Sequence, residues 1–478
     1  MNKCLLILFS LCCIPLWSQQ TFNVLDYGAV ADTAVLSTRG IQAAIDACAA
    51  KGGGTVVIPA GNYLSGTVVL KSHVNLHMES GATLYASRRA EDFQTGSRAL
   101  TATDKTTAEM LIGATDACNI SVSGRGTLHG RAVRESYRRE AATTTPADSV
   151  TGREVANAVR YGADYRTKFR RVPPSPGIIN FTGCTDVSIR DVQVVESAFW
   201  SVHLQDCERV NVDGLYIASD RHNGVNADGL DIDACHYVTV SNCRIDTGDD
   251  ALCLKTTRSA KASPCKAITV TNCILTSSSA ALKIGTESHA DVEDITVSNC
   301  VISGANRGLN MIVRDGGTVR NVLFSNLVIR TERKETFWWG NGDPLWFTIQ
   351  RRDGHPTGGG IENVVIDNVI AYGQSGIRME GFSNRLKNVR LSRVQLFMEP
   401  ETAVDKRSHN AFLFDGIDGL SLTDCSVHWN ERHPEPTWES AYLFRRIDGL
   451  KLEDVEGTKA PGSKYEAFRY ENCVMTDD

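Results

Sequence analysis

Val238-Thr-Val-Ser-Asn242, Ile268-Thr-Val-Thr-Asn272 and Ile295-Thr-Val-Ser-Asn299 are three copies of one phrase. Each alternates β-branched and polar residues and ends on a turn former, the pattern of a short strand running into a bend. Looser copies precede them at Val187-Ser-Ile-Arg-Asp191 and Val210-Asn-Val-Asp213. Others follow at Val322-Leu-Phe-Ser-Asn326, Val364-Val-Ile-Asp-Asn368, Val389-Arg-Leu-Ser-Arg393, Leu420-Ser-Leu-Thr-Asp424 and Leu450-Lys-Leu-Glu-Asp454. Successive copies mostly lie 22 to 31 positions apart. That is too far for a hairpin repeat, and the helical segment of a leucine-rich or ankyrin repeat is missing. Three short strands per turn fill the spacing, which predicts an all-β chain wound as a single parallel β-helix. An antiparallel sandwich is the competing architecture. Ten copies of one rung count against it, and the Asn and Asp at the turns read as ladder residues.

A solenoid must close its open ends. Ile41, Ala44, Ile45 and Cys48 recur at helical spacing, with Ser37 as a candidate N-cap and Gly52-Gly53-Gly54 as the stop. This predicts an N-terminal capping helix. Two stretches break the rhythm and read as loop insertions: residues 131–172, with Arg134, Arg138, Arg139, Arg170 and Arg171, and residues 331–360, with Trp338, Trp339, Trp346, Arg351 and Arg352. Long loops on a rigid scaffold are where specificity concentrates.

The chain has 478 residues, 42% hydrophobic and 22% charged, which is ordinary for a globular protein. A repeat fold grows in one dimension, so the length does not demand several domains. A formal charge of -6 argues against a nucleic-acid or membrane-surface partner. Lys3, the apolar run Leu5 to Trp17 and the small Ser18 read as a signal peptide over residues 1–18. One β-helix domain over 19–478, exported to the periplasm or outside, is the expectation. A lipid anchor on Cys12 or Cys13 counts less, because neither follows the small residue a lipidated cysteine needs. No stretch reads as a transmembrane helix.

Of the 15 cysteines, three lie in the signal. Cys118, Cys184, Cys207, Cys235, Cys243, Cys273, Cys300 and Cys425 all flank strand-like segments in similar contexts. They read as a stacked ladder of small buried hydrophobes, with a disulfide or two left open. The absence of paired C-x-x-C spacing argues against a metal site, and no cofactor is expected.

Asn226-Ala-Asp-Gly-Leu-Asp231 is followed by Asp246-Thr-Gly-Asp-Asp250. Asp228 and Asp250 are 22 positions apart, with Leu230 in phase with Leu252 and Ile232 with Leu254. On neighbouring rungs, about 4.8 Å apart, their carboxylates would crowd together. Such crowding pushes pKa values apart and keeps one acid protonated near neutrality. A protonated acid beside an ionised one is what glycosidic hydrolysis requires. The plainer reading is that Asp228, Asp249 and Asp250 are turn residues.

At this point the chain resembles glycoside hydrolase family 28, the polygalacturonase-like enzymes. The resemblance runs through Asp26-Tyr-Gly-Ala29, Ile41-Gln-Ala-Ala-Ile-Asp46, Gly52-Gly-Gly-Thr-Val-Val-Ile-Pro-Ala-Gly61 and Gly124-Arg-Gly-Thr127. It continues through Trp200-Ser-Val-His203, the Asn226 to Asp231 motif and Gly248-Asp-Asp-Ala-Leu-Cys-Leu-Lys255. It implies a right-handed parallel β-helix with an open groove, the pectin-lyase-like solenoid. It also implies hydrolysis with inversion, Asp249 as general acid, Asp228 and Asp250 as the pair activating water, Asn226 holding the group and Asp231 facing a pectic substrate.

The chain then departs from that pattern. Ala280, in Ser279-Ala-Ala-Leu-Lys-Ile-Gly285, stands where the family carries the histidine of Gly-His-Gly. Asn310 and Ile312 stand where it carries the Arg and Lys that grip a galacturonate carboxylate. Asparagine cannot reproduce a bidentate arginine–carboxylate contact. This points away from plain homogalacturonan, towards rhamnose, galactose or a decorated pectic side chain. Lys283, Arg314, Trp338 and Trp339 are the candidate replacements for substrate binding, with His222 and His289 weaker and His203 structural. The insertions lean the reading towards cleavage from a chain end. A calcium-dependent polysaccharide lyase and a non-catalytic carbohydrate-binding β-helix are the alternatives.

Overall fold

The computed structural model describes residues 20–94, 109–141, 167–258, 263–334, 338, 340–350, 359–381, 385–403 and 406–476. The proposed signal peptide, Trp339, Arg351 and Arg352, and the side chains of Arg139 and Arg170, lie outside the described residues.

The ten repeated phrases form one column. Val187, Val210, Val238, Ile268, Ile295, Val322, Val364, Val389, Leu420 and Leu450 are successive parallel partners on successive turns. Every one is buried. Stacking identical phrases gives each strand a template in the previous rung, and the apolar side chains close into a continuous core. The result is a parallel β-helix of short strands, as expected.

The turns explain the asparagines. Asn242, Asn272, Asn299, Asn326 and Asn368 all take left-handed backbone, φ between 54° and 57°, which asparagine tolerates better than most residues. Their amides also join across rungs: Asn326 donates to Asn299 at 3.2 Å and Asn368 to Asn326 at 2.8 Å. A second ladder runs Asn388 to Asn363 to Asn321 at 2.8 and 3.0 Å.

The cysteines form two columns rather than one. Cys184, Cys207, Cys235 and Cys265 hold equivalent register positions on successive turns, as do Cys243, Cys273 and Cys300. Cys425 lies further up the second column, whereas Cys118 pairs with Thr185 and so falls one position out of step with Cys184. All twelve described cysteines are free thiols.

The helix Thr38–Ala50 packs Ile41, Ala44, Ile45 and Cys48 onto the first rungs. Ser37 occupies its N-cap, but its hydroxyl does not cap. It donates to Val30 O and accepts from Val30 N, both at 2.9 Å, tying down the preceding loop instead. At the other end, rings stack on successive rungs: Phe412, Tyr442 and Phe468 at 4.9 Å spacing, beside Phe414, Phe444 and Tyr470 at 5.6 and 5.4 Å. No helix among the described residues is long and apolar enough to cross a membrane.

The two insertions differ. Within 131–172, Tyr137–Ala141 and Thr167–Arg171 pair antiparallel, outside the coil. The stretch 331–360 is only in part a loop. Asp343–Ile349 is a regular rung, paired with Arg307–Val313 before it and Ile377–Glu380 after it. Trp346 is therefore a strand residue and not a loop residue.

Candidate active site

One sheet face builds the site. Leu230–Asp233, Leu252–Thr256, Ala280–Ser288, Arg307–Val313, Asp343–Ile349 and Ile377–Glu380 are consecutive rungs. Because Leu230, Leu252, Leu282, Leu309 and Leu345 point inward, the next residue on each rung points outward. That row reads Asp231, Cys253, Lys283, Asn310, Trp346 and Arg378. Two positions before the leucines lies a second row, where Ala280, Arg307 and Asp343 are partners.

Asp228, Asp249 and Asp250 converge where the chain enters the first two rungs. Each contributes a carboxylate oxygen to a group lying within 4.8 Å of one another. Gly229 N donates to Asp250 O at 2.9 Å, so the backbone ladder itself sets Asp228 against Asp250. Asp228 and Asp250 are buried, and Asp249 is half-buried. Asn226 holds Asp249 through its backbone: with φ at 58°, its N–H donates to Asp249 Oδ2 at 2.9 Å. Its side chain is left exposed.

The three acids differ in proton affinity. Burial, then the neighbouring Asp250 charge, pushes the Asp249 carboxyl up to about 6. Burial would also raise Asp250, but the Lys283 ammonium outweighs it. Lys283 donates to Asp250 Oδ2 at 2.7 Å, and Ser279 Oγ and Ala280 N donate to Oδ1 at 2.8 and 3.2 Å. Asp250 is held below the ordinary carboxylate range. Burial and the charges of Asp231 and Asp249 raise Asp228, whose Oδ1 is buried with no protein donor.

Sequence reasoning placed Asp231 towards the substrate; the structure corrects this. Asp231 is fully buried and pairs with Lys255 at 2.6 Å. Lys255 also reaches Asp228 at 3.7 Å and lies 3.7 Å over the Trp200 ring. Its hydrocarbon stem and ammonium seal the floor beneath the cluster. Lys255 lay within a quoted motif, but nothing along the chain marks which rung its amine will reach.

The other candidates disperse. Asn310 is also buried rather than open to a sugar: its Nδ2 donates to Trp346 O at 2.9 Å, leaving only Oδ1 without a partner. Arg314 and Trp338 are nearly covered, at 9% and 5% exposure, and both are engaged by neighbours. His222 is exposed, with its backbone N–H bound to Asp220. His289 lies 3.8 Å from Asp315. His203 sits between Asn180 and Asp233 at 3.3 and 3.2 Å, a packing role. Two arginines went unnoticed in the sequence: Arg307 and Arg378, whose guanidinium carbons lie 4.4 and 4.9 Å from the Trp346 ring centroid. Further along the same face, Arg378, Leu413, Leu443 and Arg469 line a cavity of about 300 Å³.

The chain also has recognisable relatives. It is 28% identical to an exo-poly-alpha-D-galacturonosidase of Dickeya chrysanthemi, over 49% of this chain and 41% of that protein. It is 23% identical to a probable polygalacturonase of Vitis vinifera, over 57% and 53%. The chain thus spans about half the length of the curated relatives it matches. In fold it is similar to a family 28 exopolygalacturonase of Yersinia enterocolitica, with a TM-score of 0.64, 22% identity, and 96% of this chain covered against 79% of that one. An exopolygalacturonase of Thermotoga maritima also gives 0.64 and 22%, over 86% and 92%. The family model for glycosyl hydrolases family 28 matches residues 48–335, more than half of the sequence and the whole carboxylate cluster, and the chain belongs to that family.

Proposed function

We propose that this protein is an exported, inverting glycoside hydrolase acting on pectic polysaccharides or oligosaccharides. The observation that carries the reading is the set of three carboxylates within 4.8 Å whose proton affinities are driven apart. Asp249, its carboxyl pushed up to about 6, is the general acid that protonates the leaving glycosidic oxygen. Asp228 and Asp250 face each other across the ladder and hold a water between them. As the water oxygen attacks the anomeric carbon and the bond to the leaving oxygen breaks, its proton passes to the carboxylate pair. Lys283 keeps Asp250 ionised for that task, and Lys255 orients Asp228.

One observation favours a second reading. Carboxylates this close are the spacing of retaining enzymes, in which the second acid attacks directly. Against it, Asp250 has donors on both oxygens and Asp228 is buried, so neither is presented as a free nucleophile. Proton NMR of the first-formed product decides: the inverted anomer supports the proposal, the retained anomer selects the second reading, and no hydrolysis of any pectic fragment defeats both.

The substrate proposed is pectic but not plain homogalacturonan, because the family's cationic grip is absent at Asn310 and Ile312. Attack from a chain end is the favoured mode. The described ends of the insertion at 131–172, Tyr137–Ala141 and Thr167–Arg171, pair with each other outside the coil, and three of the relatives named above are described as exo-acting.

A further inference from the structure

Well beyond the acids, the outward row of the same sheet face opens into a separate cavity. From Cys253 the row runs through Lys283, Asn310, Trp346 and Arg378 to Leu413, Leu443 and Arg469. At about 4.8 Å per rung, Leu413 and Leu443 stand roughly 24 and 29 Å from the Cys253 rung. The cavity there, of about 300 Å³, is large enough for a small ligand. Leu413 is half-buried and Leu443 nearly covered, and together they give it an apolar floor. Arg378, Arg407, Arg445 and Arg469 line the walls, against the single lining carboxylate of Glu439.

Acids outside the cavity lining brace three of these guanidiniums. Arg378 donates to Asp343 at 2.9 Å and to Glu380 at 3.4 Å. Arg445 donates to Glu471 at 2.9 Å, and Arg469 to Glu471 at 3.0 Å and to Glu439 at 2.9 Å. A guanidinium carries five N–H donors, so each of the three keeps others for a ligand. Forks fixed in this way lose little freedom on binding an anion. Every lining residue lies beyond residue 335, where the family match stops. The cavity is a feature of this chain and not of the shared pattern.

We propose that this cavity is a second sugar site, remote from the bond being cut, which holds an acidic unit of the polysaccharide. The C–H face of the sugar lies on Leu413 and Leu443, and its carboxylate accepts from Arg445 and Arg469. No bond is cut there, because Asp228, Asp249 and Asp250 lie several rungs away. The cavity is an anchor: it raises the local concentration of a long chain at the acids without touching the reacting unit. A neutral sugar at the cut and selection for an acidic polymer are then compatible. The identity of the polymer rests on the pectic reading above; the charge of the bound unit rests on the cavity alone.

Binding and turnover are read separately. Calorimetry on the Asp249→Asn protein compares a galacturonate disaccharide, too short to join the two sites, with its carboxyl-reduced, neutral counterpart. The acid should bind about 10- to 100-fold more tightly, the range of a charge-assisted contact. Arg469→Gln removes donors and Leu413→Trp fills the space, and each should abolish that binding event. Thermal melts check that both variants fold. In the active enzyme, either change should raise KM for a long pectic chain by about tenfold or more, leaving kcat and the hydrolysis of short fragments within about twofold. Disaccharide binding that is undetectable, indifferent to charge, or unchanged by Leu413→Trp overturns the inference. So does a loss on short fragments equal to that on long chains, or no loss on either. If no pectic fragment is hydrolysed at all, the pectic reading fails and the calorimetry still decides the cavity.

Discussion

Lys283 Nζ stands 2.7 Å from Asp250 Oδ2, on the rung where the family's histidine position is filled by Ala280. The positive charge beside the acids has moved three residues along the strand. An ammonium on a neighbouring rung can hold a carboxylate ionised as well as an imidazolium can, and it does not titrate near neutrality.

Lys283→Met should therefore raise the Asp250 pKa, since burial would act unopposed. The acid limb of the activity profile should move to higher pH, and kcat should fall. Breaking a pair this buried costs about 3–5 kcal/mol of stability. Activity against pH together with chemical denaturation checks both parts, and an unmoved acid limb removes Lys283 from the machinery.

Asp249→Asn should lower kcat by about 10²- to 10⁴-fold, the contribution of a positioned general acid. The melting temperature should change little, because the amide still accepts from Asn226 N. Reducing-sugar release and circular dichroism measure the two. Retained hydrolysis would rule out Asp249 as the acid.

The pH profile should be bell-shaped. Asp249 must be protonated, so activity declines as pH rises through about 6. Asp250 must be ionised, so the acid limb lies below the ordinary carboxylate range. Stability follows the same signs. The raised Asp249 binds its proton more tightly in the folded chain, so its contribution is lost as pH climbs through about 6. The lowered Asp250 contributes above its unfolded value, and that is lost on acidification.

A chelator should leave activity intact. Three clustered carboxylates have the donor set for a divalent ion, so this is a real test. Loss of activity, with an unsaturated product absorbing in the ultraviolet, would favour the lyase alternative.

A reductant should not shift the melting temperature, because the twelve described cysteines are free. A drop of several degrees would reveal a cross-link.

The coil was legible because its signal is local and repeated: Val238, Ile268 and Ile295 announce their register by their neighbours alone. The carboxylate cluster was legible for the same reason, since Leu230 and Leu252 fix the phase of Asp228 and Asp250. What failed was anything settled by reach across rungs. Asp231 has the outward phase of a substrate contact, yet Lys255 leans over from the next rung and claims it. The strand Asp343–Ile349 was hidden because its apolar run lacks the alternating phrase of the other rungs, both faces being covered.

The backbone ladder that joins Gly229 to Asp250 acts as a ruler. The gap between Asp228 and Asp250, the two proposed water holders, is set by main-chain spacing common to every winding. The outward row can thus exchange residues, as Asn310, Trp346 and Arg378 illustrate, while the reagents for bond cleavage keep their separation. Such a scaffold lets recognition drift sideways along the coil without retuning the chemistry.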